Sequence, residues 1–223
     1  MSLENWIAAP ALAAALFTSS GVGTSTATAE QLQHAAEAGD SQRITLLLSQ
    51  GTGIDSRDAD GRTPLLTAIR ARQIEAARVL IAAGADVNAK DQLQDSPYLY
   101  AGASGQTEIL QMTLAHGADL RSTNRYGGTA LIPAAERGHV STVQLLITAG
   151  VDVDHVNNLG WTALLETVIL GDGSQRYAQI TQLLIAAGAD VNLADEHGVT
   201  PLAHARQRRQ PVIEQLLRAA GAR

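Results

Sequence analysis

The chain has 223 residues and a formal net charge of −6, with 45% hydrophobic residues, 3% aromatic residues and no cysteine. The missing cysteines exclude disulfide frameworks, thiol catalysis and metal sites built on thiolates. The negative charge argues against nonspecific nucleic-acid binding, which requires a basic surface. Because so few residues are aromatic, the core must be built from Ala, Leu, Ile and Val, which suits closely packed helices.

The first 29 residues do not follow the pattern of the rest of the chain. Ile7 to Phe17 form an apolar run that is shorter than the roughly 20 residues of a bilayer span. The run has the length of an export-signal core, and Ala27-Thr28-Ala29 has the small-x-small form of a cleavage site. Glu4 and the lack of early Lys or Arg are atypical of such a signal. One hypothesis is an atypical export signal, with a periplasmic or secreted mature protein that begins near Glu30. The other is an apolar extension of a cytoplasmic protein that packs on the first folded unit or stays disordered.

A Thr or Ser followed at a fixed distance by a Gly recurs through the remaining sequence. Thr63 precedes Gly84 by 21 residues, and the same offset separates Ser96 from Gly117, Thr129 from Gly150, and Thr200 from Gly221. Thr162 and Gly188 are five residues further apart. The starts at 63, 96, 129, 162 and 200 give a period of 33 residues three times and of 38 once, which indicates stacked structural repeats.

The residues around these positions form a motif. Asp58-x-x-Gly61-x-Thr63-Pro64-Leu65 and Gly84-Ala85-Asp86-Val87-Asn88 are matched by Asp195-x-x-Gly198-x-Thr200-Pro201-Leu202 and by Gly188-Ala189-Asp190-Val191-Asn192. In this motif the chain resembles the ankyrin-repeat family. One departure is that the family's usual His after Thr-Pro-Leu is replaced by Leu66, Leu99, Ile132, Leu165 and Ala203.

The resemblance implies an all-α ankyrin-repeat solenoid of about six helix-turn-helix repeats with short hairpin-like finger loops. We place one domain at residues 30–223, with repeats at 30–62, 63–95, 96–128, 129–161, 162–199 and 200–223. Residues 1–29 form a separate N-terminal apolar segment. In most repeats a Thr or Ser is the expected N-cap of the first helix, often with Pro at the first helical position.

Two local departures from the repeat have predicted consequences. Pro133 lies inside a short predicted helix, where its missing N–H should bend or shorten that helix. The five-residue insertion around Gly171 to Tyr177 should lengthen the loop between two helices. Although this loop contains Gly, it has no Gly-x4-Gly-Lys-Ser/Thr motif and no preceding strand, so it does not predict a phosphate-binding loop.

No constellation of residues predicts an enzyme, a cofactor site or a metal site. The six His residues include no helical metal-binding pair and no His-Glu-x-x-His motif, and a structural role is expected for His139 at an inter-helix turn. Carboxylates recur in the Gly-x-Asp turns as Asp86, Asp119, Asp152 and Asp190. A catalytic group is needed once, whereas an Asp that bonds the local backbone is needed in every repeat.

The resemblance implies a protein-binding function on the concave face formed by the fingers and the inner helices. Register with the family places these candidate partner-binding residues there: Arg62, Arg70, Tyr100, Arg125, Tyr126, Glu136, Arg137, Asn158, Trp161, Glu166 and His197. The wider face includes Asp60, Leu93, Asp95, Ser104, Glu196 and Arg208.

Aromatic residues give the most specific part of this prediction. Tyr100, Tyr126 and Trp161 fall on concave positions of adjacent repeats, and exposed aromatic and Arg residues are the usual anchors of an interface. For Tyr126 and Trp161 the alternative is packing between neighbouring fingers. Tyr98 takes a position where the family has a core Leu, so we expect it to be buried. The last repeat, 200–223, has five Arg and one Glu, which fits either a solvated end or a docking site for acidic groups.

The sequence therefore predicts a non-catalytic protein-interaction scaffold. We expect a monomer without a stable membrane span that binds a protein partner and no nucleic acid. Two alternatives stay open. One is an inhibitor or immunity-type protein that blocks a partner enzyme, and the other is an accessory that stabilises a periplasmic enzyme.

Overall fold

Twelve helices follow one another in residues 20–223, the part of the chain that the computed structural model describes, with side chains described from Ala27 onward. In chain order they are α1 (Ser20–Ala38), α2 (Ser41–Ser49), α3 (Pro64–Arg70), α4 (Ile74–Ala82), α5 (Pro97–Ala103), α6 (Thr107–Ala115), α7 (Leu131–Glu136), α8 (Val140–Ala149), α9 (Ala163–Leu170), α10 (Gln175–Ala186), α11 (Pro201–Gln207) and α12 (Pro211–Ala219). Consecutive helices pair as helix-turn-helix units, and residues 20–223 contain no strand. The predicted all-α solenoid of about six repeats is therefore confirmed.

The repeats stack as two layers of helices. The inner helices α1, α3, α5, α7, α9 and α11 pack on one another, and the outer helices α2, α4, α6, α8, α10 and α12 form the second layer. The core between them consists mainly of Ala, Leu, Ile and Val, as the composition predicts. Tyr98 is fully buried in this core, as expected, and Tyr177 is also buried.

Most inner helices begin at a capped residue. The Thr63 hydroxyl accepts the Leu66 N–H at 3.3 Å, and Pro64 takes the first helical position, where its missing N–H would be unpaired anyway. Equivalent caps on α5, α9 and α11 are Ser96, Thr162 and Thr200. The recurring Thr or Ser of the sequence therefore sets where these helices start.

Repeat four breaks this rule because of Pro133. Without an N–H, Pro133 cannot donate to the Thr129 carbonyl as Thr67 donates to the Thr63 carbonyl at 2.9 Å. The Ile132 N–H takes the Thr129 carbonyl instead, at 3.3 Å, and the buried Thr129 hydroxyl has no partner. Helix α7 consequently has 6 residues where α3 has 7, which confirms the predicted shortening.

Each of the five described fingers is shaped by one side chain. In the finger before α3, Asp58 Oδ1 accepts the N–H groups of Asp60 and Arg62 at 2.9 and 2.8 Å. The same two bonds, at 2.9–3.1 Å, are accepted by Asp91, Asn124, Asn157 and Asp195. Because a side-chain oxygen can organise a turn in this way, the fingers keep their shape without strand pairing.

The Gly-x-Asp turns use their carboxylates as the sequence predicts. Asp86 Oδ1 accepts the N–H of Asn88 at 2.8 Å. The equivalent bonds at 2.9–3.0 Å are accepted by Asp119, Asp152 and Asp190. These carboxylates therefore serve the local backbone in every turn where they recur.

A ladder of further hydrogen bonds joins most of these turns to the next repeat. Asn88 Oδ1 accepts the N–H of Asp119 at 2.9 Å. Equivalent bonds at 2.9–3.1 Å link Asp55 to Asp86, Asp154 to Asp190 and Asn192 to Arg223. Arg121 occupies the corresponding position before Asp152 and has no acceptor atom. The ladder is therefore interrupted at this one junction of the described residues.

The insertion in repeat five is absorbed mostly by helix, which corrects the prediction of a longer loop. Helices α3 and α4 have 7 and 9 residues and are joined by residues 71–73, whereas α9 and α10 have 8 and 12 residues and are joined by residues 171–174. Three of the five extra residues (12 − 9) thus extend the outer helix. The Tyr177 hydroxyl donates to the Glu136 carbonyl at 2.9 Å, so the start of α10 packs on the preceding repeat.

Helix α1 crosses the boundary predicted between residues 29 and 30. Leu32 is the first described side chain that is buried, and it follows the predicted cleavage site. The export signal and the domain boundary stay predictions, since the apolar run from Ile7 to Phe17 lies outside the described residues. Within residues 20–223, no helix is both long and apolar enough to cross a membrane.

The contrast between Thr63 and Thr129 gives a prediction about stability. Thr63→Val removes a cap and should lower the free energy of unfolding by about 1 kcal/mol. Thr129→Val removes a hydroxyl without a partner and should leave that free energy unchanged or raise it. Urea unfolding followed by circular dichroism measures both variants. Equal losses in the two would show that Thr63 does not act as a cap.

The interrupted ladder gives a second prediction. Arg121→Asn supplies an amide oxygen for the Asp152 N–H and should raise the free energy of unfolding by about 1 kcal/mol. The matched loss is Asn88→Ala, which removes an existing ladder bond and should lower it by a similar amount. Urea unfolding measures both. If Arg121→Asn is no more stable than the parent, the ladder does not contribute as described.

Candidate partner-binding cleft

The concave face contains a cleft of about 330 Å³ across repeats two to four. Its lining residues are Arg70, Leu93, Asp95, Tyr100, Ala103, Asn124, Arg125, Tyr126, Pro133, Glu136 and Arg137. They come from helices α3, α5 and α7 and from the fingers that precede α5 and α7. The cleft therefore brings together these residues predicted from the sequence: Arg70, Tyr100, Arg125, Tyr126, Glu136 and Arg137.

Arg70 is fixed in the cleft by two carboxylates and an aromatic ring. Its Nη2 lies 2.8 Å from Asp95 Oδ2 and 3.7 Å from Asp91 Oδ2, and its guanidinium carbon lies 4.7 Å from the centre of the Tyr100 ring. Burial and the charge of Asp91 raise the pKa of Asp95, although Arg70 opposes this shift. The charge of Arg70 is therefore neutralised within the protein, and its guanidinium also contacts the Tyr100 ring.

Arg125 and Tyr126 form the tip of the next finger. The guanidinium carbon of Arg125 lies 4.8 Å from the centre of the Tyr126 ring, within cation–π distance. Tyr126 is 55% exposed. The contact with the following finger uses the Tyr126 carbonyl, which accepts the Asn158 N–H at 2.9 Å. The Tyr126 ring is therefore accessible to a partner.

The end of α7 forms the opposite side of the cleft. Arg137 follows this helix, and its Nη1 donates to the Ala103 carbonyl at 2.7 Å. Pro133 is buried and supplies an apolar surface. Among the described residues, neither Arg125 nor Arg137 has a carboxylate oxygen within 4.0 Å. Both guanidiniums can therefore donate hydrogen bonds to a ligand.

Three neighbouring finger tips carry exposed hydrophobic side chains. Leu93, Tyr126 and Leu159 occupy the same position in successive repeats and are 50%, 55% and 51% exposed. We name these three residues the finger ridge. Grouped exposed apolar side chains mark interaction surfaces. Leu159 is not among the residues selected from the sequence, although its 33-residue spacing from Tyr126 would have identified it.

The finger beside the cleft has a strained backbone. Gln94 lies between Leu93 and Asp95 and has a φ of +62°, in the left-handed region that costs a non-Gly residue about 1–2 kcal/mol. Gly127 takes the equivalent position in the next finger, with a φ of +73°. Backbone strain of this kind is often found at functional sites, and Gln94 lies between two residues that line the cleft, Leu93 and Asp95.

The five other residues predicted from the sequence lie outside the cleft lining: Arg62, Asn158, Trp161, Glu166 and His197. Arg62 lies in an adjoining cavity of about 230 Å³, with its Nε 2.7 Å from Asp58 Oδ2. Trp161 is partly buried at the base of its finger, where its backbone N–H donates to Asn157 Oδ1 at 3.0 Å. His197 is exposed at the tip of the last finger.

Asn158 serves the contact between fingers. A Cβ on Gly127 would lie 2.3 Å from Asn158 Oδ1, so the side chain packs directly on the preceding finger. Together with the bond from its N–H to Tyr126, this contact gives Asn158 a role in stacking the fingers.

Glu166 is buried, which corrects its placement on the exposed side of an inner helix. It is 5% exposed, its Oε1 accepts a bond from Asn157 Nδ2 at 3.0 Å, and its Oε2 has no partner. The bond to Asn157 draws the carboxyl beneath the finger. Burial, and after it the charge of Glu136, raises the pKa of Glu166 to about 7.

The histidines make structural contacts. His155 Nε2 lies 2.7 Å from the Gly127 carbonyl oxygen, and His204 Nε2 lies 2.7 Å from Asp195 Oδ2. The His139 ring packs on Gly105, where a Cβ would lie 2.6 Å from Nδ1. In the part of the chain that the structure describes, no group of three or more His, Asp or Glu could hold a metal ion.

These features define a class of protein. The helix pairs are stacked, one acceptor side chain shapes each finger, and Arg and Tyr line a concave cleft. This combination is typical of an ankyrin-type solenoid with a binding face.

Comparison with known proteins agrees with this class. The family model described as ankyrin repeats in three copies matches residues 12–91 and 98–173. These ranges cover more than half of the chain, and the chain belongs to the ankyrin-repeat family. Ankyrin repeats are general protein–protein interaction modules, and the proteins of this family are generally non-catalytic binding scaffolds.

Solved structures share both fold and sequence with this chain. The crystal structure of an ankyrin repeat domain from Acinetobacter baumannii AYE is 65% identical, with a TM-score of 0.84, and the match covers 86% of this chain and 98% of that one. A second ankyrin repeat protein is 44% identical, with a TM-score of 0.82, covering 85% and 97%. The ankyrin repeat domain of Bcl-3, a member of the IκB protein family, is 28% identical, with a TM-score of 0.77, covering 86% of each chain. No curated protein matches at a significant level.

Glu166 predicts a stability that depends on pH. Its pKa is about 7 in the folded protein against 4.5 for an ordinary Glu, so stability should fall as the pH rises through this interval. Glu166→Gln resembles the protonated carboxyl. It should raise the free energy of unfolding near pH 8 by on the order of 2–3 kcal/mol and leave it nearly unchanged near pH 4. Urea unfolding at both pH values measures this, and a gain of equal size at both would contradict the assignment.

Proposed function

We propose that the protein is a non-catalytic scaffold that binds a partner protein on its concave face, through the cleft and the finger ridge. The observation that carries the proposal is the convergence of Arg70, Tyr100, Arg125, Tyr126 and Arg137 on one cleft. Tyr and Arg are enriched among the residues that dominate binding energy. The adjoining ridge adds exposed apolar contacts on the same face.

Preorganisation of the side chains supports the proposal. Tyr100 and Tyr126 each contact a guanidinium, at 4.7 and 4.8 Å from the ring centre. Arg70 is further held by Asp95, and Arg137 by the Ala103 carbonyl. Ordering long side chains on binding costs about 0.5–1.5 kcal/mol each. A cleft whose side chains are already held in place loses less free energy in this way.

The chemistry of the lining supports binding without turnover. Among the lining residues there is no Ser, Thr, Cys or His to act as a nucleophile beside a base. The carboxylate of Asp95 is engaged by Arg70 at 2.8 Å. The groups of the cleft thus provide fixed charge, aromatic surface and hydrogen-bond donors, which are the requirements of recognition.

The proposal is tested with a partner captured on the immobilised protein from an extract of its native organism, then identified and purified. The double variant Leu93→Ala/Tyr126→Ala removes two members of the finger ridge. Its dissociation constant for that partner should rise by about ten-fold or more, measured by calorimetry. Helical content by circular dichroism should not change, because both side chains are half exposed.

The matched control is Leu46→Ala/Val212→Ala. These side chains are 45% and 51% exposed on the outer helices α2 and α12, away from the concave face. The control should bind the partner with unchanged affinity. If it loses as much affinity as the ridge variant, or if the ridge variant loses none, the concave face is not the binding surface.

A further inference from the structure

Four arginines in the cleft or at the neighbouring inter-helix turns have no carboxylate partner. Arg125 and Arg137 line the cleft. Arg72 lies in the turn after α3, and Arg176 lies in the first turn of α10. Among the described residues, none of the four has an Asp or Glu oxygen within 4.0 Å. We name these four residues the arginine cluster.

Contacts across the inter-helix turns bring the cluster together. Gly138 follows Arg137 directly, and a Cβ on Gly138 would lie 2.5 Å from Cδ of Arg176. The stem of Arg176 therefore packs against the turn that carries Arg137. Burial lowers the pKa of His139, and so do the positive charges of Arg137, Arg72 and Arg176. These three guanidiniums therefore act on the same imidazole.

Contacts hold three guanidiniums of the cluster in place without using all of their N–H donors. Arg125 stacks on Tyr126 at 4.8 Å, Arg176 lies 5.7 Å from the centre of the Tyr177 ring, and Arg137 uses Nη1 alone for its 2.7 Å bond to a backbone carbonyl. Each guanidinium has five N–H donors. Its planar fork matches the two oxygens of a carboxylate. The cluster can therefore bind carboxylates without first rearranging.

The cluster is a positive region of a negative protein. Nearby carboxylates are Glu136, which lines the cleft, Asp172, whose pKa the charge of Arg176 helps to lower, and Asp91 and Asp95, whose charges act on Arg125. Asp95 is engaged by Arg70. With Arg70 included, five guanidinium charges face four carboxylates, a local excess of positive charge in a chain whose net charge is −6.

We propose that the partner segment that enters the cleft is acidic. Its carboxylates contact Arg125 and Arg137 inside the cleft and Arg72 and Arg176 at its edge, while an apolar side chain of the same segment contacts the finger ridge. This inference rests on the proposed function and adds the chemistry of the partner.

A polypeptide fits this surface better than a nucleic acid. The finger ridge offers Leu93, Tyr126 and Leu159, of which only the Tyr is an aromatic platform for a base. A short acidic segment with an apolar residue satisfies both parts of the surface.

The test uses the full chain and three fluorescent probes measured by anisotropy. They are a peptide of repeated Glu-Glu-Leu units, the same peptide with Gln in place of Glu, and an oligothymidylate of equal charge. The Glu peptide should bind about ten-fold or more tightly than the Gln peptide. Arg125→Gln/Arg137→Gln should weaken binding of the Glu peptide by about ten-fold or more. The control Arg43→Gln/Arg121→Gln removes two exposed arginines without ion pairs outside the cluster and should leave binding unchanged.

Four results would overturn the proposal. They are no measurable binding of the Glu peptide, equal binding of the two peptides, an equal loss in the control variant, and tighter binding of the oligothymidylate through the same arginines. The last result would assign the surface to nucleic acid.

A comparison with the captured partner separates this inference from the proposed function. If Leu93→Ala/Tyr126→Ala weakens partner binding and Arg125→Gln/Arg137→Gln does not, the concave binding face stands and the acidic segment is wrong. If neither variant weakens it, both proposals fail. Loss in both double variants, with both controls unchanged, supports both.

Discussion

The rest of the structure depends on one interaction that recurs in each described finger. A single side-chain oxygen accepts hydrogen bonds from two backbone N–H groups. Asp58, Asp91, Asn124, Asn157 and Asp195 all make this interaction, at 2.8–3.1 Å. Since either Asp or Asn supplies the oxygen, the turn does not determine which of the two is present. The difference between Asp and Asn lies in the second polar atom of the side chain, Oδ2 or Nδ2. In several repeats this atom contacts an inner helix. In three of the five described fingers this residue therefore both shapes the turn and contacts an inner helix.

Repeats five and six show how this second atom determines local chemistry. Asn157 donates to Glu166 at 3.0 Å, whereas Asp195 accepts from His204 at 2.7 Å. Donor and acceptor are exchanged between the finger and the helix, and each pair remains complementary. An Asp in place of Asn157 would set a second carboxylate against Glu166, whose pKa burial and Glu136 already raise. The identity of the helix residue thus accounts for the identity of the finger residue.

The spacing of the repeats was sufficient to predict the fold and part of the cleft. Thr or Ser caps the helix, Gly ends it and Asp shapes the turn, so a period of 33 residues fixes their positions. The same register placed Tyr100 and Tyr126 in one cleft. It did not predict the burial of Glu166, which depends on a side-chain bond across the finger. It also did not predict the longer α10, because the insertion could extend either the loop or the helix. The spacing predicts where a residue lies in the repeat, but it does not predict which group its side chain contacts.

Three departures from the rules of the scaffold lie around the cleft. Gln94 has a φ of +62°, Thr129 has lost its capping bond, and Arg121 interrupts the ladder between repeats. All three lie in or next to repeats three and four, which form much of the cleft. At the equivalent positions, other repeats have a Gly, a hydroxyl that makes its capping bond, and an Asp or Asn. Local rules are broken most often where function competes with stability. Pro133 shows this competition within one residue, since the ring that prevents the capping of α7 is also an apolar surface of the cleft.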